Sequence, residues 1–343
     1  MKKKQFIRDM SVGATIECYF IITKAEKKLS KANTPYWDIQ LKDATGVISA
    51  KIWHPVSSTI LEIPKESFVS IKALVESYNG ALQLKIESLD VLLDSLIEEL
   101  DMGDFVPSSQ YPIEHMWNEL IALCTEVFTH KPWYTFTIDF FSTPEIMKTL
   151  RYASAAKSMH HAYRGGLLEH MLSVANLCRR LAAHYPEIDE QLLVAGALFH
   201  DIGKIVELEG FLTTEYTTEG KLLGHITQGV ELITPYMQKA NVEKELQIQL
   251  KHLILSHHGY LEFGSPKVPQ TAEAYLLHYA DNIDAKMELF RSTFSEIEPS
   301  EEAWKRIHNM GDLFHPISTS VFEEKLKSAD EQHINKEQLS LLK

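Results

Sequence analysis

The chain has 343 residues and is acidic, with 34 Lys and Arg against 47 Asp and Glu, and its length and ordinary apolar content predict about two globular domains. Cys18, Cys124 and Cys178 are scattered without pairing motifs, which argues against a disulfide framework and favours the reducing cytoplasm. The longest apolar run falls far short of the ~18 residues of a membrane span, so we expect no membrane partner.

Residues 1–92 have the pattern of a small β barrel. Five segments alternate apolar and polar residues, at 12–28, 35–43, 46–54, 67–78 and 81–92. Turn signals separate them, of which Asn79-Gly80 is the strongest hairpin signal. Five strands without intervening helices predict a barrel of the oligonucleotide/oligosaccharide-binding (OB) type, and we assign residues 1–92 to a nucleic-acid-binding domain.

Aromatic residues of this barrel are candidates for stacking on bases. Barrels of this type combine basic grooves with aromatic platforms, each stacked base being worth about 1–3 kcal/mol. The substrate-binding candidates are Tyr36, Trp37 and Trp53. Tyr36 and Trp37 point to opposite faces of a regular strand, so only one of them can be a platform, and the sequence does not decide which.

The charge is unevenly distributed along the chain. Residues 1–90 carry a net charge of +3 and the remainder −16, a contrast that ordinary surface variation explains equally well.

From residue 93 the pattern becomes helical. Residues 93–159 predict a linker, with breakers around Pro107, and a helical segment. Residues 160–290 predict an all-helical domain, and residues 291–343 a C-terminal helical extension. The fold class is therefore multidomain, an all-β barrel followed by an all-α domain.

Seven histidines and aspartates spaced along the helical domain are candidate metal ligands. They lie in separate apolar-periodic segments, which makes sense if several helices converge on one centre: His170, His200, Asp201, His225, His257, His258 and Asp281. Imidazole and carboxylate bind borderline divalent metals. The chain has 16 histidines, so some are incidental, but the adjacent pairs favour a shared metal site.

The order His…His-Asp…Asp, with HDIGK at residues 200–204, resembles the HD phosphohydrolase superfamily over about residues 160–285. The resemblance implies a first metal bound by His170, His200, Asp201 and Asp281. It implies a second metal bound by His225, His257 and His258, with Asp201 bridging. Two divalent ions are expected, and this ligand set suits Mn²⁺ best, with Fe²⁺ or Co²⁺ as alternatives. Three-metal relatives carry a glutamate where this chain has Gly166, so we expect no third ion.

Three further residues are candidates for substrate contact. Lys204 resembles the lysine that contacts the scissile phosphate in binuclear relatives, which makes Asp201 and Lys204 the catalytic candidates. A surface lysine at a helix end is the plain alternative. Arg164 offers a bidentate fork for phosphate, although it could equally cap a helix or pair with an acid. His161 lies close to Arg164 in the chain.

The barrel together with the HD segment resembles one family, the YhaM-type 3′–5′ exoribonucleases of Firmicutes. The strings that carry the resemblance are HHAYRGGLLEH, GALFHDIGK, HLILSHHG and LHYADNIDAK. It implies that a metal-activated hydroxide releases 5′-mononucleotides from the 3′ end of single-stranded RNA, with some activity on single-stranded DNA. Two alternatives stay open: an HD-type nucleotide phosphohydrolase or cyclic-dinucleotide phosphodiesterase, and a nucleic-acid-binding regulatory module with a vestigial metal site. A homo-oligomer is also open.

Overall fold

The computed structural model describes residues 3–97, 99–157, 161, 163–210, 214–295, 297–298, 300–307 and 310–320. The chain divides into two compact units, Met1–Asp284 and Ala285–Lys343. Within the described ranges, every helix is too short or too polar to cross a membrane.

The first unit begins with the expected barrel. Its strands are β1 Thr15–Leu29, β2 Pro35–Asp43, β3 Gly46–Ile52, β4 Phe68–Tyr78 and β5 Ala81–Val91. They close in the order β1-β2-β3-β5-β4, with β3 and β5 parallel and the other pairs antiparallel. The short helix α1 (Val56–Thr59) lies between β3 and β4. The five-stranded OB-type barrel is thus confirmed.

The pleat of β2 decides between its two neighbouring aromatic residues. Trp37 is buried in the barrel core, and its Nε1 donates to the Ile60 carbonyl at 3.3 Å. Tyr36 lies on the outer face, as side-chain alternation requires. The prediction of Trp37 as a base platform is wrong, because its ring fills the barrel.

The segment predicted as a linker and helical region forms α2 (Asp94–Ile97), α3 (Ile113–Val127), α4 (Lys131–Phe141) and α5 (Pro144–Leu150). Phe136, Phe140 and Phe141 of α4 pack around Phe199, with ring centroids 4.7–5.3 Å apart. Helices α3 to α5 therefore share one hydrophobic core with the helices that follow.

The metal-binding candidates lie on or beside the next helices, α6 Gly166–His184, α7 Glu190–Phe199, α8 Lys204–Glu207, α9 Thr218–Lys239, α10 Lys244–Ser256 and α11 Ala272–Phe294. Two short strands, β6 (Leu208–Glu209) and β7 (Glu215–Tyr216), pair between α8 and α9. Helix α7 is buried from Leu192 to Phe199, which explains its uniformly apolar sequence. The Asp189 side chain accepts from the Leu192 amide at 3.0 Å and fixes where α7 begins.

The second unit contains a hairpin of β8 (Ala303–Ile307) and β9 (Gly311–His315). The prediction of a helical extension is wrong for this stretch. Exposure alternates along β8 with the two-residue period of a strand, and Gly311 adopts φ 83°, which favours glycine. Residues 321–343 of the predicted extension lie outside the described residues.

Candidate metal centre

All seven candidate ligands meet in one place, and most of them lie at helix ends. His200 and His257 follow the last residues of α7 and α10, and Asp201 comes directly after His200. His225 follows a break in α9, where Gly224 has φ 74° and ψ 157°. Helix ends and breaks bring these side chains together at one buried place in the helical domain.

The first cluster consists of His170, His200, Asp201 and Asp281. The Nε2 atom of His170 lies 3.1 Å from Nε2 of His200 and 3.3 Å from Oδ1 of Asp281. Oδ2 of Asp201 lies 3.5 Å from both histidine Nε2 atoms. Two imidazoles and two carboxylates thus turn their lone pairs toward one point.

The second cluster consists of His225, His257 and His258, whose ring nitrogens lie within 4.8 Å of one another. It shares Asp201 with the first cluster. Oδ1 of Asp201 lies 3.3 Å from Nε2 of His225 and 3.6 Å from Nε2 of His257. One carboxylate therefore presents a different oxygen to each cluster, which is the geometry of a bridging ligand.

The atoms that face the second cluster fit a metal ion. Among the described residues, Asp201 Oδ1, His225 Nε2 and His257 Nε2 are buried and accept no hydrogen bond. Buried polar atoms normally have partners, since a missing hydrogen bond costs about 1–3 kcal/mol. A carboxylate oxygen beside two imidazole nitrogens is the donor set of Mn²⁺, Fe²⁺, Co²⁺ or Zn²⁺, so the residues present fit a divalent cation.

The opposite nitrogen of each histidine, Nδ1, is anchored. Backbone carbonyls accept from three of them: Ala197 from His200 at 2.9 Å, Ile254 from His257 at 2.7 Å and Phe263 from His258 at 2.9 Å. These bonds hold the proton on Nδ1 and leave Nε2 as the lone-pair donor. Metal-binding histidines ordinarily have such a partner.

Carboxylates anchor the other two histidines, and sequence reasoning missed both. Asp284 accepts from Nδ1 of His170 at 2.7 Å, and Glu207 accepts from both the backbone amide and Nδ1 of His225, at 3.0 and 3.2 Å. A signal for Asp284 was available, because it lies three residues after Asp281 and so shares its face of α11. No comparable spacing points to Glu207, since its distance from His225 depends on the break in α9.

At His200, His258 and Asp201 the electrostatics favour a bound cation. Burial lowers the pKa of His200 and of His258 to about 4, so both rings are neutral near neutral pH, as metal ligands must be. Burial opposes ionisation of Asp201, but Lys204 and the surrounding histidines outweigh it and hold the pKa of Asp201 well below its ordinary value. The bridging carboxylate is therefore anionic.

Lys204 lies at the mouth of the centre. Its Nζ is 2.6 Å from Oδ2 of Asp201. Burial favours the neutral amine, yet Asp201 raises the pKa of Lys204 above its ordinary value, so the side chain is an ammonium. This position puts a cation directly beside the Asp201 carboxylate.

The structure places His161 elsewhere than expected. It is 2% exposed, with its Nε2 3.0 Å from Asp284 and its Nδ1 2.8 Å from the Tyr163 hydroxyl. Both nitrogens thus face protein groups behind His170 and not a substrate. Arg164 is half-buried, and its guanidinium lies 4.4 Å from the centre of the Tyr152 ring.

Two glycines allow the backbones around the centre to approach closely. A Cβ on Gly166 would lie 2.1 Å from the His161 carbonyl, so the position expected to lack a third-metal glutamate has no room for any side chain. A Cβ on Gly203 would lie 1.9 Å from the His225 carbonyl. Gly203 thereby lets the segments that carry Asp201 and His225 pack together.

On the barrel, Tyr36 and Trp53 stack on each other with ring centroids 4.7 Å apart and an interplanar angle of 28°. Trp53 is 39% exposed, and the Lys51 ammonium lies 5.4 Å from the Tyr36 ring centre. Two aromatic faces and a cation thus form one outer patch, which suits a stacked base.

Comparison with known proteins finds one family model, and two relatives that cover most of the chain. The HD domain family model matches residues 167–286. The chain is 33% identical to the 3′–5′ exoribonuclease YhaM of Bacillus subtilis (strain 168), over 84% of this chain and 91% of that protein. It is also 33% identical to the 3′–5′ exoribonuclease YhaM of Bacillus velezensis, again over 84% of this chain and 91% of that protein.

Solved structures match the barrel region. The second OB-fold domain of replication protein A from Methanococcus maripaludis aligns at 18% identity over 27% of this chain and 95% of that one, with a TM-score of 0.22. A replication protein A heterotrimer bound to single-stranded DNA aligns at 13% identity over 27% of this chain and 67% of that one, with a TM-score of 0.21.

Proposed function

The chain belongs to the YhaM family of 3′–5′ exoribonucleases, and from this we propose that it hydrolyses the terminal phosphodiester of single-stranded RNA and releases 5′-mononucleotides. The observation that carries the proposal is Asp201, whose two carboxylate oxygens face two separate groups of buried histidine nitrogens. A site for two ions suits phosphodiester hydrolysis better than a site for one ion does. With two ions, positive charge would face the reacting phosphate from both sides.

We propose that two divalent ions are held here, Mn²⁺ being the best fit. His170, His200, Asp201 and Asp281 would hold one ion, and Asp201, His225, His257 and His258 the other. When bound, such ions supply an activated water and neutralise the charge of the phosphate. Imidazole nitrogens in five of the seven positions favour Mn²⁺, Fe²⁺ or Co²⁺ over Mg²⁺, which prefers oxygen ligands.

The chain's own groups orient and stabilise the substrate. In this proposal the Lys204 ammonium beside Asp201 binds a non-bridging phosphate oxygen, and the anchored histidines hold their geometry without rearrangement. On the barrel, the Tyr36–Trp53 patch would stack on upstream bases. The barrel would thus retain the strand between successive cuts, and single-stranded DNA would use the same contacts.

A directional degradation assay tests the proposal. Purified full-length chain is incubated with Mn²⁺ and a single-stranded RNA labelled at either end. A 3′-labelled RNA should release labelled mononucleotide at once, while a 5′-labelled RNA should shorten one nucleotide at a time. Asp201→Asn, which keeps the shape of the bridging side chain and removes its charge, should abolish both signals.

Other outcomes identify the alternatives. Cleavage of cyclic dinucleotides with RNA left intact would indicate a small-molecule HD phosphodiesterase. RNA binding without hydrolysis, and without bound metal, would indicate a regulatory binding module. Undiminished degradation by Asp201→Asn would contradict the metal-bridging role of this residue.

Two further predictions concern the protein in the cell. Cys18, Cys124 and Cys178 are free and buried, which fits the reducing cytoplasm that we propose as its location. A homo-oligomer stays a prediction, and size-exclusion chromatography with light scattering tests it.

A further inference from the structure

A basic pocket of about 600 Å³ lies between the metal centre and the barrel. Five of its lining residues are cations, and two, Glu145 and Glu209, are carboxylates. The cations are Lys42, Lys148, Lys157, Arg164 and Lys204. This local excess of positive charge is informative because the chain as a whole carries a formal net charge of −13. The pocket is therefore suited to a polyanion.

The pocket borders the metal centre at Lys204. Lys204 lines it, and the Lys204 Nζ is 2.6 Å from Oδ2 of the bridging Asp201. A chain of phosphates that enters the pocket therefore meets the Lys204 ammonium directly beside Asp201.

Elsewhere the pocket borders the barrel. Lys42, which also lines the pocket, belongs to β2, six residues after Tyr36, and both lie on its outer face. At about 3.3 Å per residue the two are roughly 20 Å apart along the strand. The same face of β2 thus joins the Tyr36–Trp53 patch to the pocket.

The pocket also contains an aromatic surface. Tyr152 is 42% exposed, and the Arg164 guanidinium lies against its ring. Basic grooves with aromatic rings are the usual means of holding single strands without sequence preference. Lys157 is paired with Glu215 at 2.6 Å, an exposed ion pair that a phosphate can replace at small cost.

We infer that this pocket binds the phosphates of the RNA strand immediately upstream of the scissile bond and guides the strand from the barrel to the metal centre. The inference rests on the proposed exonuclease function. It names Lys42, Lys148 and Lys157 as strand-binding residues. It also predicts that affinity grows with RNA length until the strand spans the pocket and the face of β2. A stacked strand advances about 3.4 Å per nucleotide, so the face of β2 alone corresponds to about six nucleotides.

The test removes two exposed charges, in Lys148→Ala/Lys157→Ala, from the full-length, Mn²⁺-loaded chain. The KM for a single-stranded 12-mer should rise roughly fivefold or more, and the loss should be smaller for a trinucleotide. The plot of log kcat/KM against log salt should flatten by about 1.4, since each phosphate contact on a single strand contributes about 0.7. Lys148→Arg/Lys157→Arg should restore both values.

A matched control removes two exposed lysines outside the pocket, Lys131→Ala/Lys239→Ala, and should leave KM and the salt slope at their wild-type values. Circular dichroism checks that all variants are folded. If the pocket variant matches this control in KM and salt slope while the wild type degrades RNA, the pocket inference is overturned and the proposed function stands. If the wild type fails to degrade RNA but hydrolyses a cyclic dinucleotide, the proposed function fails first.

Discussion

Asp284 and Glu207 each orient one histidine, Asp284 in the first cluster and Glu207 in the second. Each is a carboxylate that accepts from Nδ1, at His170 and His225 respectively, whereas the other three histidines use backbone carbonyls. A carboxylate partner raises the basicity of the imidazole more than a carbonyl does, because it carries a full negative charge. The two carboxylates therefore control the two clusters separately.

We predict that Asp284→Asn weakens metal binding at the first cluster and Glu207→Gln at the second. Loss of an outer carboxylate typically lowers metal affinity 10–100-fold. Calorimetric titration with Mn²⁺ should show one weakened site in each variant and one site unchanged. Exposed Glu126, which pairs with Arg179, supplies the control Glu126→Gln. Equal weakening of both sites by either variant would contradict separate control.

At the scale of elements, the centre depends on how closely two chain segments approach. Gly203 directly precedes the short helix α8, and its missing side chain leaves room for the His225 carbonyl of α9. A methyl group there meets backbone atoms at 1.9 and 2.6 Å, which no side-chain rotation relieves. Asp201 and His225 would have to move apart.

Gly203→Ala is therefore expected to lower the free energy of unfolding by about 1–3 kcal/mol, the range of overpacked positions. It should also reduce the bound metal from two ions to one. Chemical denaturation and metal analysis measure the two effects. Gly46→Ala on β3, where the nearest atom would lie at 3.8 Å, should change neither. If Gly203→Ala still binds two ions, the Gly203 and His225 backbones can move apart without loss of the second site, and this prediction is wrong.

The barrel contributes through one exposed aromatic pair. Trp53→Ala should weaken binding of single-stranded RNA by about 1–3 kcal/mol, or roughly 5- to 150-fold, if a base stacks on the patch. Fluorescence anisotropy with labelled RNA measures the change. Tyr134 on α4 is 38% exposed, close to the 39% of Trp53, so Tyr134→Ala is a matched control. Equal affinities of the two variants would exclude Trp53 as a platform.

Sequence patterns predicted the elements better than the contacts between them. Alternation placed all five barrel strands, because each has one face in a core. It left Tyr36 and Trp37 undecided, since alternation alone does not say which face is the inside. Asp284 and Glu207 were missed because outer contacts depend on packing between helices. The β8–β9 hairpin was missed because its short strands lie in a charged segment that reads equally well as a helix.

At the scale of the molecule, the seven metal ligands come from five helical segments, so bound ions would cross-link most of the helical core. The barrel has its own separate hydrophobic core. Each ion that binds only the folded state stabilises it by about 2.7 kcal/mol at a hundredfold excess over Kd, so two ions contribute about 5 kcal/mol. Because the ligands lie in the helical part, we expect that part to gain most of the stabilisation.

We therefore predict that saturating Mn²⁺ raises the melting temperature of the helical part by about 10–20 °C, given the size scaling of unfolding entropy. Hydrogen exchange followed by mass spectrometry should show slower exchange in α6 to α10 on adding Mn²⁺, with β1 to β5 unchanged. Asp201→Asn should abolish the effect, because both clusters lose their shared ligand. Equal protection of the barrel would mean that the two cores unfold as one cooperative unit, and the metal centre would then stabilise the strand-binding face as well.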